Sequence, residues 1–232
     1  MALPLYLATT PVEMPICSQT HDRIAWMACH FSPWSQGLTN LPTELPPGAM
    51  LILNDRLPCQ GHSPDLVAQQ LRDTATALSC ESVLLDFQRP PEPHTQAIVS
   101  AIFNALSYPP GVTEGYARHY SCPVFLSPAP LHIPLAEWLH PWQDREIWLE
   151  AALCQELVTV TSNGPTFTHQ FPPEQLDGGF FDEDLCCRYK MQIHQDKIDF
   201  TLFDTRESLE KKLQKAHSLG ITRAVGLYQE LG

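Results

Sequence analysis

Glu81-Ser82-Val83-Leu84-Leu85-Asp86-Phe87-Gln88-Arg89-Pro90 is the stretch on which the fold turns. Val83, Leu84 and Leu85 form a short apolar run without helical period. Cys80 and a polar, helix-like segment precede it, and Pro90-Pro91 stop it. A run of that kind reads as a strand buried on both faces, the signature of a parallel sheet. Asp86 and Gln88 stand two apart at its carboxyl end, so strand alternation aims both side chains the same way. In α/β folds that end of a strand is where sites are built.

The flanking chain repeats the theme. Before the stretch, Ser63-Pro64-Asp65 opens a helix: Ser63 suits the N-cap, Pro64 the first helical position and Asp65 the positive end of the helix dipole. Leu66, Val67, Gln70, Leu71, Thr74 and Leu78 supply its stripe. Earlier still, residues 49–55 read as a short strand ending in Asn54 and Asp55. Residues 23–30 read as another, ending in His30 and followed by a loop that carries Trp34. Residues 1–22 show no clear period and read as an extended arm. After the stretch come a helix over 94–107, a strand at 123–126, a helical turn within 134–143 and a strand at 145–150 with Glu150 near its end. Strand, helix and strand in alternation predict a parallel sheet.

The style then changes. Residues 156–161 and 165–169 flank Asn163-Gly164, a hairpin signal. Residues 188–194 and 197–203 flank Gln195-Asp196 in the same manner. Asp204-Thr205 cap a helix over 206–219 that Gly220 ends, and a last strand runs over 222–228.

Composition bounds the partners. The chain has 232 residues, 44% of them hydrophobic, enough for a sizeable core in one domain spanning 1–232. Its formal net charge of −12 and the absence of a Lys/Arg cluster argue against nucleic acid and anionic membrane as partners. No stretch approaches the ~20 apolar residues that span a bilayer. The N-terminus has no basic n-region and does not read as a signal peptide, so a cytoplasmic location is expected. None of the eight cysteines forms a CxxC pair, and they read as small buried hydrophobes in a reducing compartment. Twenty-two prolines cluster after apolar runs, at 42, 46 and 47, at 90, 91 and 93, at 128, 130 and 134, and at Pro172-Pro173. Stiff loops leaving strand ends lower the entropy cost of holding a pocket open. The run Asp182-Glu183-Asp184 reads as a solvated loop, not a metal site. No GxGxxG, P-loop or GxSxG pattern is present, so no cofactor is expected.

Residues 81–88 resemble the fourth-strand DxxDxDxE pattern of the family 18 glycoside hydrolases, the chitinase-like (β/α)8 barrels. Asp86 stands at the last Asp, which in that family orients the substrate's N-acetyl group, and Phe87 fits the aromatic usual there. Glu81 stands at the first Asp, Leu84 at the middle one and Gln88 at the general acid. The C-terminal part, from a hairpin through Phe203-Asp-Thr-Arg-Glu-Ser208 to Ala224-Val-Gly-Leu-Tyr228, resembles the spore-associated bacterial branch. There a Trp that floors the sugar site usually ends the last strand, and Tyr228 lies near that position. The resemblance implies a TIM-like barrel, irregular where crossover helices are faint, with hairpins inserted near its C-terminal half. It implies an N-acetylated glycan, chitin-like or peptidoglycan-derived, as partner. With peptidoglycan, export or spore association stays open.

The implied chemistry is substrate-assisted hydrolysis, in which one protonated carboxyl donates to the leaving oxygen. Gln88 has no acidic proton to give; its amide only hydrogen-bonds. Three functions therefore stand. One is a catalytically degenerate glycan binder that uses Asp86, Gln88 and Tyr228, with Trp34 and His30 beside the sugar. The second is an active glycosidase whose acid has moved to Glu150 or Asp55. The third is a barrel scaffold without a pocket. A carboxylate cluster at the mouth favours the second, and a pocket filled by Trp or Pro side chains the third.

Overall fold

The computed structural model describes residues 3–169 and 176–232; the Pro172-Pro173 pair lies outside them. The chain runs β1 (Leu5–Thr9), α1 (Met14–Thr20), β2 (Ile24–Phe31), β3 (Leu38–Thr39), β4 (Met50–Asn54), α2 (Pro64–Ala77), β5 (Ser82–Asp86) and α3 (Pro93–Ala105). It continues through β6 (Gly111–Thr113), α4 (Glu114–Ala117), β7 (Val124–Leu126), α5 (Leu135–Leu139), a 3-10 turn (His140–Trp142) and β8 (Ile147–Ala151). Then come β9 (Gln155–Thr161), β10 (Gly164–His169), β11 (Phe180–Asp182), β12 (Cys187–Ile193) and β13 (Lys197–Phe203). The chain finishes with α6 (Arg206–Ser218), β14 (Arg223–Leu227) and α7 (Tyr228–Leu231).

Eight parallel strands close a barrel in the order β1, β2, β4, β5, β6, β7, β8, β14, with β14 pairing back onto β1. β3 adds an antiparallel edge to β2. Between β8 and β14 the chain builds a separate antiparallel sheet, β10-β9-β13-β12-β11. The fold is a TIM barrel with inserted hairpins.

Strand alternation explains two cores. On β4 and β5, Leu51, Leu53, Val83 and Leu85 point outward into a large cluster with α2 and α3, among them Val67, Leu71, Ile98 and Ile102. Met50, Ile52 and Leu84 point inward, where Tyr6, Phe125, Trp148 and Val225 complete the barrel interior. This is the layered interior of a packed barrel, not a pore. The expected cap of α2 is present: the Leu66 N–H donates to Ser63 Oγ. Its buried stripe is Val67, Ala68, Leu71 and Ala75, while Leu66 is exposed, so the apolar face sits one position round from the one expected.

Two expectations need correction, and β6 adds a strand that none of them named. Residues 1–22 are not an arm: they hold β1, whose residues 6 to 9 are buried, and α1. A five-residue strand followed within five residues by a two-turn helix leaves no window in which a period shows. β6 has three residues, behind Pro109-Pro110, and escaped notice for the same reason. The last strand ends at Leu227, and Tyr228 opens α7.

The inserted sheet is fastened to the barrel by a buried ion pair. Lys212 on α6 donates to both oxygens of Asp204, at 2.8 Å each, and Asp204 also accepts from the Cys154 N–H and from Ser208 Oγ. Leu131, from the loop after β7, packs with Val158, Cys187 and Leu202 beneath the sheet.

Candidate functional site

The barrel mouth is shaped first by an irregularity in β2. Its pairing with β4 shifts register between Trp26 and Cys29. Asn54, at the end of β4, fills the gap: its amide nitrogen donates to the carbonyls of Met27 (2.9 Å) and Cys29 (3.1 Å). Beside it His30 Nδ1 donates to the Ala28 carbonyl at 2.8 Å, leaving Nε2 free of that bond. A bulge at a barrel rim re-aims side chains, and here it faces His30 into the mouth.

Asp55 is 5% exposed, and both its oxygens are engaged. They accept the backbone N–H groups of Gln88 (3.0 Å) and Arg89 (2.8 Å). It therefore stitches the loop leaving β4 to the loop leaving β5. The Thr113 hydroxyl donates to the Phe87 carbonyl at 2.6 Å and the Tyr116 hydroxyl to the Arg89 carbonyl at 3.2 Å, which fixes the second loop from its other side.

On this frame Asp86 continues the inward row Ser82, Leu84, and Gln88 follows two residues on. The Gln88 side-chain amide donates to Asp86 Oδ1. The layer beneath is apolar, with Ile52, Leu84 and Phe125. Leu84 belongs to that packed interior and places no carboxylate below Asp86. Glu81 lies at the opposite end of β5, where it accepts from the Tyr6 hydroxyl.

Glu150 enters the same mouth from β8, and its side chain makes no hydrogen bond among the described residues. Burial, then the charges of Asp86 and Glu230, push its carboxyl up to about 7. Asp86 is also raised, by burial first and the Asp55 charge after it; the bond from Gln88 works in the opposite direction. Asp86, Gln88, Glu150, His30 and Asn54 all line one cavity of about 620 Å³, to which Asp55 contributes as well. A smaller hollow of about 220 Å³ shares Gln88, Arg89 and Phe125 with it. The structure thus brings together five of the seven residues singled out in the sequence: His30, Asp55, Asp86, Gln88 and Glu150.

Trp34 and Tyr228 stand elsewhere. Trp34 is 90% exposed and does not line the cavity. Tyr228 packs with Leu7, Cys17 and Ile24 outside the barrel wall, edge-on to His21. Leu227 lines the mouth in its stead. The lining also includes polar residues that were not anticipated, among them Thr10, Asn40, Arg56 and Arg89. Arg56 and Arg89 directly follow Asp55 and Gln88 in the chain, and that adjacency was the signal available. Among the described residues no group of three or more His, Cys, Asp or Glu side chains is arranged to hold a metal ion.

The closed barrel with an insertion between its last two strands is a fold shared with solved family 18 chitinase-like enzymes. The spore cortex-lytic enzyme SleL of Bacillus cereus superposes with a TM-score of 0.57 at 12% identity, covering 99% of this chain and 71% of that one. A family 18 N-acetylglucosaminidase from Paenibacillus barengoltzii gives 0.58 at 11% identity, with 98% and 95% covered. A chitinase from Chromobacterium violaceum gives 0.52 at 9% identity, with 100% and 95% covered. At these identities the likeness is one of fold. The sequence matches no protein-family description and no curated protein.

Proposed function

We propose that the barrel mouth binds an N-acetylated glycan and does not hydrolyse it by the substrate-assisted route. The observation that carries this is the Gln88 amide, bonded to Asp86, at the position to which the motif resemblance assigns the acid. Substrate-assisted cleavage needs a proton delivered to the leaving oxygen, and an amide has none to deliver. What the site keeps is a carboxylate and an amide side by side, suited to an acetamido group, above an apolar floor suited to a sugar ring. The similar structures named for chitin, N-acetylglucosamine and spore cortex support an amino-sugar polymer as the class. A peptidoglycan-derived ligand would require export of the chain or a role in sporulation.

A second reading rests on Glu150. A carboxyl raised to about 7, in the same cavity as Asp86, has the protonation behaviour of a general acid. On this reading the chain is a glycosidase whose acid has moved from β5 to β8. A cavity of about 620 Å³ that no Trp or Pro side chain lines weighs against a mere scaffold.

The test is turnover of a fluorogenic N-acetylglucosamine oligomer by the wild type, Gln88→Glu and Glu150→Gln, with binding followed by calorimetry. Binding without turnover in the wild type, and turnover in Gln88→Glu, is the expected result. Turnover in the wild type that Glu150→Gln abolishes would replace the first reading with the second.

A further inference from the structure

We infer that the inserted sheet is a self-association surface, through which two copies of this chain pair face to face. The inference stands on the sheet alone and is independent of the glycan reading. Cross-strand register puts Phe167, Val158, Phe200 and Met191 in one row across β10, β9, β13 and β12. Pro165, Val160, Ile198 and Ile193 form the next row, two residues further from the barrel. Strand alternation keeps both rows on the same face. Neither row contains a charged residue, in a chain that is 17% charged. The opposite face carries Gln192, Asp199 and Thr159 in register, with Lys190 beside them. Leu131 covers only the barrel end of the apolar face. Of the eleven large apolar side chains exposed among the described residues, five stand on this face: Val160, Phe167, Met191 and Ile193 in the two rows, and Phe180 paired with Tyr189 at the β11 edge. They are 36% to 69% exposed. An apolar sheet face is stable when it is buried against another layer, and the described residues leave the outer part of this one bare.

Two features select a second copy as the partner. The first is area. At about 150–200 Å² for a whole large side chain, the exposed fractions amount to about 400–550 Å² per copy, the upper end of what a monomer leaves open. Two such faces together remove about 800–1,100 Å² before their rims are counted, where specific but weak association begins. The second is charge. At a net charge of −12 two copies repel each other, and contact is least opposed where neither carries charge. The same rows give an oppositely charged polymer nothing to recognise. Two twisted sheets pack face to face about 10 Å apart, and a two-fold axis brings the same patch of each copy onto its counterpart.

The test is sedimentation velocity of the full chain from about 1 to 200 µM, a span suited to a weak interface, at about 10 mM and about 150 mM salt. The wild-type mass is expected to rise from 26.1 kDa toward twice that value, and to do so at lower concentration in the higher salt, because screening removes the repulsion between copies. Met191→Lys/Ile193→Lys lowers the net negative charge, and with it the repulsion, yet places two cations in the buried rows. It should weaken association at least about tenfold. Gln192→Lys puts the same charge on the opposite face of the same strand and should leave association unchanged. All three positions are exposed, and far-UV circular dichroism checks that the variants fold. A wild type that stays at 26.1 kDa throughout overturns the inference and assigns the face to a partner other than this chain. Association that salt weakens, that the double variant keeps, or that Gln192→Lys reduces as far as the double variant does, overturns it as well.

Discussion

Glu150 keeps its proton at pH values where a free glutamate has lost it. Its carboxyl lies at about 7 in the folded chain against an ordinary 4.5, raised mainly by burial. Between those values the native state binds more protons than the unfolded one, so stability falls as pH rises. The contribution is complete below about 4.5 and gone above about 7. Thermal melts at pH 5 and pH 8 should show a steeper loss for the wild type than for Glu150→Gln, on the order of 2 kcal/mol. Parallel losses would mean that Glu150 is solvated. Asp55 predicts a different signature. Asp55→Ala leaves two loop N–H groups without their acceptor and should cost roughly 2–3 kcal/mol in urea unfolding. It should also weaken glycan binding, because the loop bearing Gln88 and Arg89 loses its anchor. Asp86 and Gln88 were legible in the sequence because strand alternation is local. The task of Asp55 was not, because its partners are backbone groups 33 and 34 residues further on. Tyr228 was placed by analogy with a strand end, and it turned outward when the strand stopped one residue sooner.

Short elements set the limits of the barrel. Gly111 on β6 faces the Trp148 ring, and a Cβ there would lie 2.4 Å from it. Gly111→Ala should therefore destabilise the fold by about 1–3 kcal/mol through overpacking, measured by chemical denaturation. An unchanged midpoint would show that the indole can shift. β6 is also the element hardest to read in the sequence: three residues carry no period, and its requirement for glycine is imposed by a side chain on β8. α2 and α6 were readable because caps and stripes are local, as were the hairpins, with their turn signals. The anchoring of α6 was not, since Lys212 falls on a buried position that its chemistry argues against. Lys212→Ala strands a buried Asp204 charge and should cost around 3–5 kcal/mol. If the sheet over β9–β13 hangs on this pair, amide exchange in that sheet should accelerate more than in β4 or β5.

All eight cysteines are free. Burial pushes the thiols of Cys29, Cys154 and Cys187 up to about 12 and those of Cys80 and Cys122 to about 11. The thiolate is the reactive form, so a disulfide reagent at pH 8 should label these five slowly in the native protein and all eight promptly in denaturant. Rapid native labelling of all eight would contradict the buried placement. The mutual repulsion of a chain at −12 predicts a further behaviour: melting should rise as salt is taken from about 10 mM to 150 mM, where the Debye length is ~8 Å.

The barrel has one seam that closes late. β14 lies between β8 and β1, with Ala224 opposite Leu5 and Leu149. During synthesis β1 and β8 therefore wait, each with an unpaired edge, while the whole inserted sheet is made, and bare edges recruit other chains. At translation rates of ~5–20 residues per second that wait lasts several seconds. A nascent chain stalled before β14 has seven barrel strands and no closure, and it is the form on which a chaperone would act.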